Sequence, residues 1–566
     1  MANANSRSLF GHHLETVKRW CISQPHWTLV LLMIAALVPF LAKPFNIDDP
    51  CYLWCAKQIL SHPANPYGFD VNWAGSPQPM WAVMENPPLV CYFIAGGALV
   101  LGWSETAMHL LFLLPAMAVI LGTYRLARQY CNSPLAAAVI TLFMPVFVVS
   151  STTVMCDVLM LAWWTWAVIF WVEGSAQERG WKMALAGLFM ALAVMSKYNG
   201  ICLVPLLAAY SLLQKHFRNL VFLLIPLGAV AAYQIITKKL YGSALLAQAS
   251  SYAISAKGIR HFSILHGGLT GLAFVGGCFA TAVFFMLLLW HRRTLISMAV
   301  LTATVIAATI SQIDYLKDYA AIPDDAKMLV NLQIVFWATG GMIFLAMVIH
   351  ELYKRRDIPT ALLAMWILGT FVFSAFFNWT VNGRTLLPMA PAVGILLIRR
   401  FESRLQAKQT SYRAAEYVFA MSALLAMLVV QADFALAMAV RQSVAEIHTK
   451  YGSHQGTLWF DGNWGYQYYM EESGAVAADI IHPQLNTGDI IAVPLNNNIL
   501  RPPDPEFSTM MDAVVVPVGS CLTTMNVTCG SGFYAATHGP LPFAFGHVPP
   551  QYVCIFAIGP AKKTSH

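Results

Sequence analysis

The chain has 566 residues, of which 58% are hydrophobic and only 11% are charged, whereas charged residues make up roughly 25% of an average soluble domain. Its mean hydropathy of +0.59 excludes an ordinary soluble enzyme and indicates a polytopic membrane protein. The net charge of +7 fits basic loops that orient membrane spans better than it fits nucleic-acid binding. The cysteines form no CxxC pair, so they predict no zinc site, and the best candidate for a single disulfide bridge is Cys521 to Cys529.

The first long apolar run, 27–42, follows a polar arm that contains Lys18 and Arg19. No small-residue cleavage site follows it, so we interpret it as an uncleaved first span. Twelve further apolar runs lie near 108–124, 134–151, 154–172, 183–196, 201–213, 220–236, 269–290, 295–310, 329–349, 361–377, 386–398 and 414–430. The sequence therefore predicts about thirteen transmembrane helices.

Basic residues collect in every second connection between these runs, which is typical of cytoplasmic loops. They are Lys18, Arg19, Arg125, Arg128, Arg179, Lys182, Lys215, Arg218, Arg292, Arg293, Lys354, Arg355, Arg356, Arg399, Arg400, Arg404 and Lys408. This alternation predicts a cytoplasmic N-terminus and a C-terminus on the periplasmic or extracellular side.

One apolar run, 87–101, is too short to be counted as a span, and counting it would move Arg125 and Arg128 to the outer side. We interpret it as an interfacial or re-entrant helix on the outer face. The preceding stretch, 46–86, is rich in Pro and Trp and predicts short helices at the level of the lipid headgroups. The loop 43–105 is thus expected to be a functional, outer-side part of a membrane domain that covers 1–432.

Beyond about residue 430 the hydropathy falls, and short β-like runs at 490–494, 514–517 and 552–558 alternate with turn residues. This pattern predicts a small extracytoplasmic α/β domain at 433–566. No P-loop, GxGxxG or HExxH motif is present, so nucleotide-driven transport and zinc hydrolysis have no support in the sequence.

Several polar and charged residues fall at the outer ends of the predicted spans. They are Asp48, Asp49, Glu85, Asn86, Asp157, Lys197 and Arg384. An ionised side chain at membrane depth costs roughly 2.5–3.5 kcal/mol, so such residues are usually paired or line a polar cavity. Each has a plain structural explanation alone, as a solvated acid, a helix cap or a snorkelling cation. Only as a set, gathered on one face, do they predict a site.

Their sequence context resembles the C-type (GT-C) membrane glycosyltransferases, and within them the protein O-mannosyltransferases and the bacterial aminoarabinose transferase. The motifs are Asp48-Asp49-x-x-Tyr52, Glu85-Asn86-Pro87-Pro88-Leu89, Met155-Cys156-Asp157, Ser196-Lys197-Tyr198 and Gly383-Arg384-x-x-x-Pro388. The resemblance covers about 45–391, and the segment 459–469 is similar to one that follows the last span in bacterial members. Two positions depart from it: the usual Asp-Glu pair is Asp48-Asp49, and the Lys that precedes Pro-Pro in aminoarabinose-type enzymes is Asn86.

The resemblance implies an inverting glycosyltransferase (EC 2.4) that moves a sugar from a polyprenyl-phosphate donor to an acceptor hydroxyl on the outer face of the membrane. It implies that Asp48 is the general base and that Asp49 and Asp157 hold the substrates in line or orient the cations. Lys197 and Arg384 would bind the donor phosphate. The remaining substrate contacts would be Tyr52, Glu85, Asn86 and Tyr198. No cofactor is expected, and a divalent cation held by the three aspartates is the less favoured alternative.

Two other classes of function stay open at this point. A lipid or solute transporter or flippase would place its charges near the bilayer midplane and show paired halves, neither of which is evident. An inactive scaffold with the same fold would explain Asn86, although it would not need the carboxylates and cations. The expected partners are a polyprenyl-phosphate-linked sugar, a lipid, glycan or protein acceptor and the bilayer, in a bacterial inner membrane and without nucleic acid.

Overall fold

The computed structural model describes residues 23–259, 263–479, 481–498 and 500–560; the basic arm with Lys18 and Arg19 lies outside these ranges. The helices in this part, in chain order, are α1 (Pro25–Leu37), α2 (Asp49–Ser61), α3 (Met80–Val83), α4 (Leu89–Leu101), α5 (Glu105–Ala127), α6 (Pro134–Leu142), α7 (Pro145–Ser151), α8 (Cys156–Gln177), α9 (Gly180–Ser196), α10 (Leu203–Leu213), α11 (Leu224–Tyr241), α12 (Leu245–Ile259), α13 (Ile264–Cys278), α14 (Ala280–Leu289), α15 (Arg292–Gln312), α16 (Asp324–Arg355), α17 (Ile358–Val372), α18 (Gly383–Leu386), α19 (Ala390–Gln406), α20 (Tyr412–Tyr451) and α21 (Trp464–Glu472).

Within the described residues, seven helices are long and apolar enough to cross a membrane, and two bent pairs raise that number to nine. The pair α6 and α7 bends by 64° where Pro145, which has no N–H to donate, begins the second helix. Each of the thirteen predicted runs coincides with a helix or a bent pair. The protein is an integral membrane protein, as predicted, whereas the number thirteen stays a prediction because α1, α9, α10 and α19 have 17 residues or fewer.

The outer loop between α1 and α5 is only partly as predicted. Helix α4 has 13 residues and is therefore about 20 Å long, too short for the ~30 Å hydrocarbon core. The loop also contains an antiparallel ribbon of β1 (Asp70–Asn72) and β2 (Pro77–Pro79), which the sequence did not indicate. This ribbon and the short α3 lead the chain into the Glu85-Asn86 turn.

Helix α20 is 40 residues long and continues well past residue 432. The predicted boundary between 432 and 433 therefore lies inside a continuous helix. The last turns of this helix pack through Val444 and Ile447 against the C-terminal sheet.

The C-terminal region contains a five-stranded mixed sheet, in agreement with the predicted α/β organisation. Its strands, in spatial order, are β4 (Val476–Ala477), β3 (Leu458–Phe460), β5 (Ile490–Pro494), β11 (Gln551–Ile558) and β6 (Ser508–Val516). Strand β3 is parallel to β4 and β5, whereas β11 is antiparallel to β5 and β6. Helix α21 and the C-terminal part of α20 pack against this sheet through one apolar core.

A second part of the C-terminal region leaves the sheet and packs onto the membrane helices. It contains β7 (Leu522–Thr523), β8 (Met525–Asn526), β9 (Ser531–Gly532) and β10 (Ala544–Phe545). The Gly383 N–H donates to the Phe533 carbonyl at 2.8 Å, and the Ala536 N–H donates to the Val381 carbonyl at 2.8 Å. The bridge predicted in this segment is wrong: the cysteines at 521 and 529 are both free, and the second thiol donates to the His547 carbonyl instead.

Basic residues from alternate connections meet carboxylates at one end of the bundle. Glu173 pairs with Arg125 at 2.8 Å and with Lys182 at 2.5 Å. Glu351 accepts from Arg355 and Arg400 in the same way. These clusters hold the ends of α5, α8 and α9, and of α16 and α19, together on the side opposite to the site described next.

Candidate active site

A cavity of about 450 Å³ is lined by seven of the nine predicted site residues. They are Asp48, Tyr52, Glu85, Asn86, Lys197, Tyr198 and Arg384. These residues come from the outer loop, from the turn between α9 and α10 and from α18, so groups far apart in sequence share one cavity. The other two, Asp49 and Asp157, do not line the cavity and are buried behind its wall.

Asp48 and Arg384 form an ion pair across the cavity wall. The Arg384 Nη1 lies 2.8 Å from the Asp48 Oδ2. Asp48 precedes α2 in the N-cap position, but its carboxylate makes no capping bond, which leaves it available to the guanidinium. Arg384 follows Asn382, whose side-chain oxygen accepts from the Thr385 N–H and so begins α18.

Lys197 and Asp157 form the second ion pair, with 2.6 Å between Nζ and Oδ1. Asp157 lies in the first turn of α8 and Lys197 in the extended residue that ends α9. Asp157 is fully buried, whereas Lys197 reaches the cavity. The arrangement is that of a carboxylate that orients a cation, which is one of the two roles predicted for Asp157.

The structure does not bring Asp49 to the cavity. Its side chain is 0% exposed, and its carboxylate accepts from the backbone N–H groups of Asn46 at 2.9 Å and Val154 at 2.8 Å. Burial raises the pKa of Asp49 to about 7. The predicted contact of Asp49 with substrate is therefore not supported by this geometry, because the two backbone donors occupy its oxygens and join the start of α2 to the approach to α8.

The strain of the backbone explains why neighbouring aspartates point to different places. Ile47 has φ 51°, a left-handed conformation that is uncommon for a β-branched residue. This turn precedes Asp48 and Asp49 and directs the first into the cavity and the second into the protein. Trp464, which also lines the cavity, has φ 64°. Such strained residues are concentrated at functional sites.

The side chains of Tyr52, Asn86 and Tyr198, which we predicted as substrate contacts, form hydrogen bonds with one another or with other residues of the protein. The Tyr52 hydroxyl lies 2.9 Å from the Cys156 thiol, and the Asn86 amide donates to that hydroxyl at 3.5 Å. Tyr198 donates to Asn378 at 2.9 Å. These bonds position the wall, and Asn86 is further held by the Tyr67 hydroxyl, which donates to its carbonyl at 2.6 Å.

Glu85 differs from the other acids of the site. It lines the cavity, is half-buried and forms no ion pair within the ranges that the structure describes. Burial raises its pKa to about 7, since the charged carboxylate loses hydration that no cation replaces.

The C-terminal region supplies part of the wall, which sequence reasoning missed. Tyr534 accepts from Arg384 Nη2 through its carbonyl at 3.4 Å, and its ring lies 5.5 Å from the guanidinium. Its hydroxyl donates to Asp433 at 2.9 Å. Trp464, Asn498, Met525, Ala535 and His538 line the cavity from the same region.

Behind this wall lies a buried ion pair between Lys43 and Asp433, at 2.5 Å. Both side chains are 0% exposed. Asp433 also accepts from Thr524 and Tyr534, so this carboxylate connects the first span, α20 and the C-terminal region. The sequence offered one signal, a lysine at the end of the first apolar run, and no indication of its partner.

A second, mostly apolar cavity of about 350 Å³ adjoins the first. Trp379 lines both cavities, and Asn378, the acceptor for Tyr198, lines the second one. The π-helical turn Phe373–Phe377 contributes Phe376 to it. A ligand with a polar head and an apolar tail could therefore place one part in each cavity.

No group of three or more His, Cys, Asp and Glu side chains suited to a metal ion occurs in the part of the chain that the structure describes. The three aspartates of the predicted alternative do not converge, because two are paired with different cations and the third accepts from backbone. The expectation that the enzyme needs no cofactor stays a prediction.

Together, the cavity and its two cation–carboxylate pairs form a polar site that adjoins an apolar cavity. Residues 85–241 match the family model described as dolichyl-phosphate-mannose-protein mannosyltransferase. This match confirms the predicted resemblance to the C-type membrane glycosyltransferases, and it includes Glu85, Asn86, Asp157, Lys197 and Tyr198.

Comparison with solved structures finds ArnT from Cupriavidus metallidurans in two states. The apo form is 14% identical, with a TM-score of 0.47, over 85% of this chain and 93% of that chain. The form bound to undecaprenyl phosphate is 13% identical, with a TM-score of 0.47, over 82% of this chain and 92% of that chain. No curated protein matches the chain.

Proposed function

We propose that the protein is an inverting glycosyltransferase that moves a sugar from a polyprenyl-phosphate donor to an acceptor hydroxyl on the outer face of the membrane. The observation that carries the proposal is the placement of Lys197 and Arg384 on one cavity, each already oriented by a carboxylate. The family match supports the proposal, because the description of that family names dolichyl-phosphate-mannose, a sugar linked to a lipid phosphate.

The two cations fit the task of holding the donor phosphate. When the sugar–phosphate bond breaks, negative charge develops on the leaving phosphate, and preorganised positive groups stabilise it. Arg384 retains an N–H group that can donate to a ligand, since its Nε is buried without a hydrogen-bond partner among the described residues. Because Lys197 and Arg384 supply the counter-charge, the proposed chemistry uses no metal ion.

The adjoining apolar cavity fits the first isoprene units of the donor. Because Trp379 lines both cavities, a lipid tail in the apolar cavity would lie next to the two cations that we propose for the phosphate. The acceptor would enter from the outer side, where the C-terminal region forms the wall. In this proposal the site faces the outside of a bacterial inner membrane, with the N-terminus in the cytoplasm, as the basic connections favour.

Transfer by the purified enzyme in lipid nanodiscs tests the proposal. A set of synthetic polyprenyl-phosphate sugars is offered with lipid, glycan and peptide acceptors, and products are identified by mass spectrometry. We expect transfer from at least one donor, and a loss of at least ~10²-fold in the Lys197→Met, Arg384→Met double variant.

The matched control is Lys57→Met, which removes a cation of an exposed ion pair with Glu472 outside the cavity. It should transfer at nearly the normal rate. Full activity in the double variant would show that other groups handle the phosphate, and absence of transfer from every donor would exclude the proposed reaction.

A further inference from the structure

The C-terminal region holds the segment of the membrane domain that carries Arg384. The Gly383 N–H donates to the Phe533 carbonyl, and the Val381 carbonyl accepts from the Ala536 N–H, both at 2.8 Å. A Cβ added at Gly383 would lie 2.7 Å from the ring of Phe533, so the two segments pack without room between them. The backbone that presents the Arg384 guanidinium to the cavity is therefore fixed by residues from the far end of the chain.

Tyr534 contacts the guanidinium with two different groups. Its carbonyl accepts from Arg384 Nη2 at 3.4 Å, and its ring lies 5.5 Å from Arg384 Cζ, within range of a cation–π contact. Both groups are uncharged. They hold the guanidinium without cancelling its positive charge, which stays available to an anion in the cavity.

A buried network fixes the Tyr534 side chain in turn. Its hydroxyl donates to Asp433 at 2.9 Å, and Asp433 also accepts from Thr524 and pairs with Lys43. The side chains of Asp433 and Lys43 are 0% exposed, and Tyr534 is 1% exposed. Buried polar networks whose members are paired are rigid, so the ring of Tyr534 is held at one place against Arg384.

We propose that Tyr534 is a positioning residue, which holds Arg384 in place for the donor phosphate, so that the C-terminal region sets the affinity for the donor. This inference rests on the proposed transferase function. A cation that is already in place binds the phosphate more strongly, because the cost of ordering its side chain has been met before the donor arrives.

Initial rates of transfer by the purified full-length enzyme in lipid nanodiscs test this role, with donor and acceptor varied in turn. Tyr534→Leu removes the ring and the hydroxyl and should raise the donor KM roughly 5- to 30-fold, the effect of losing one desolvated cation–π contact. The acceptor KM should stay unchanged. Tyr534→Phe keeps the ring, so it should recover most of the affinity for the donor. Binding of polyprenyl phosphate without a sugar should follow the same order.

A pair of backgrounds shows whether Tyr534 acts through Arg384. In the Arg384→Met background, Tyr534→Leu should weaken the binding of polyprenyl phosphate no further, because the group that it positions is gone. If Tyr534→Leu does not fold, as judged by its melting temperature in detergent, Tyr534→Met takes its place, since the flexible methionine chain fills irregular space.

The matched control is Tyr451→Leu. It also removes a tyrosine hydroxyl that donates to an aspartate, here Asp512 at 2.6 Å, but Tyr451 does not line the cavity. This variant should leave the donor KM and the binding of polyprenyl phosphate unchanged.

Three results would overturn the inference while leaving the function intact: an unchanged donor KM in folded Tyr534→Leu, a rise of the acceptor KM instead, or an equal loss of polyprenyl-phosphate binding with and without Arg384. The second result would assign Tyr534 to the acceptor. Absence of transfer by the wild type would overturn the proposed function, whereas the binding series would still show whether Tyr534 acts through Arg384.

Discussion

Neighbouring residues of one motif perform different tasks in this protein. Asp48 faces the cavity and contacts Arg384, whereas Asp49 is buried against backbone donors. A pair of adjacent acids in a sequence therefore predicts a site without telling which member reaches it. The left-handed turn at Ile47 decides this, and residue type alone does not reveal it.

Asp49 should affect stability more than chemistry. Asp49→Ala leaves the N–H groups of Asn46 and Val154 buried without an acceptor, at a cost of about 1–3 kcal/mol each. Asp49→Asn keeps one acceptor oxygen and should cost less. Thermal unfolding in detergent measures both, and a lower melting temperature for Asn than for Ala would contradict this assignment.

Lys197 and Arg384 should contribute more to activity than Asn86, which stands where aminoarabinose-type enzymes have a lysine. Lys197→Met and Arg384→Met should each raise the donor KM and lower kcat, because the phosphate loses a counter-charge. Lys197→Arg should restore only part of the activity, since a planar guanidinium does not fit the place of an ammonium next to Asp157. Asn86→Ala should be much milder; equal losses in initial-rate assays of Asn86→Ala and Lys197→Met would refute this ranking.

At the scale of elements, hydropathy predicted where the membrane helices lie but not where short elements or breaks occur. Every apolar run became a helix, because the bilayer requires internal hydrogen bonding of the backbone. The β1–β2 ribbon has three-residue strands with Pro at both ends of β2, so it carries no alternating pattern to detect. Helix α20 continues past the apolar stretch because the sheet, formed by distant residues, supplies its packing partner.

The contact between α13 and α16 depends on glycines that admit the backbone of the other helix. A Cβ added at Gly276 would lie 1.9 Å from the Trp337 carbonyl oxygen, so Gly276→Ala must push the helices apart, at a cost of about 1–3 kcal/mol. Gly228 in α11 has no atom within 4 Å of its added Cβ. Gly228→Ala should therefore leave the melting temperature nearly unchanged or raise it, and the reverse order of the two variants would contradict this packing.

At the scale of the whole molecule, the site was only half predictable. The motif residues could be grouped because the alternation of basic loops placed their spans on one face. Tyr534 could not be found, since it lies 150 positions from Arg384 in a segment without a motif. The Gly-rich surroundings of the aromatic pair Phe533-Tyr534 were the one available signal.

The orientation of the molecule is open to direct labelling. In a background without native cysteines, Gln484→Cys in the C-terminal region should react with a membrane-impermeant maleimide in intact cells. Arg179→Cys, in the connection between α8 and α9, should react only after the membrane is permeabilised. Both positions are exposed, and the opposite pattern would reverse the proposed orientation.

The ion pair between Lys43 and Asp433 joins residues 390 positions apart and sets an order for assembly. During synthesis the lysine enters the bundle long before its counter-charge exists, and an unpaired buried charge is strongly destabilising. A chain that ends before Asp433 keeps that defect, and one that ends before Tyr534 lacks the residue that contacts both Asp433 and Arg384. The wall of the cavity is therefore complete only after its last lining residue, His538, has been synthesised.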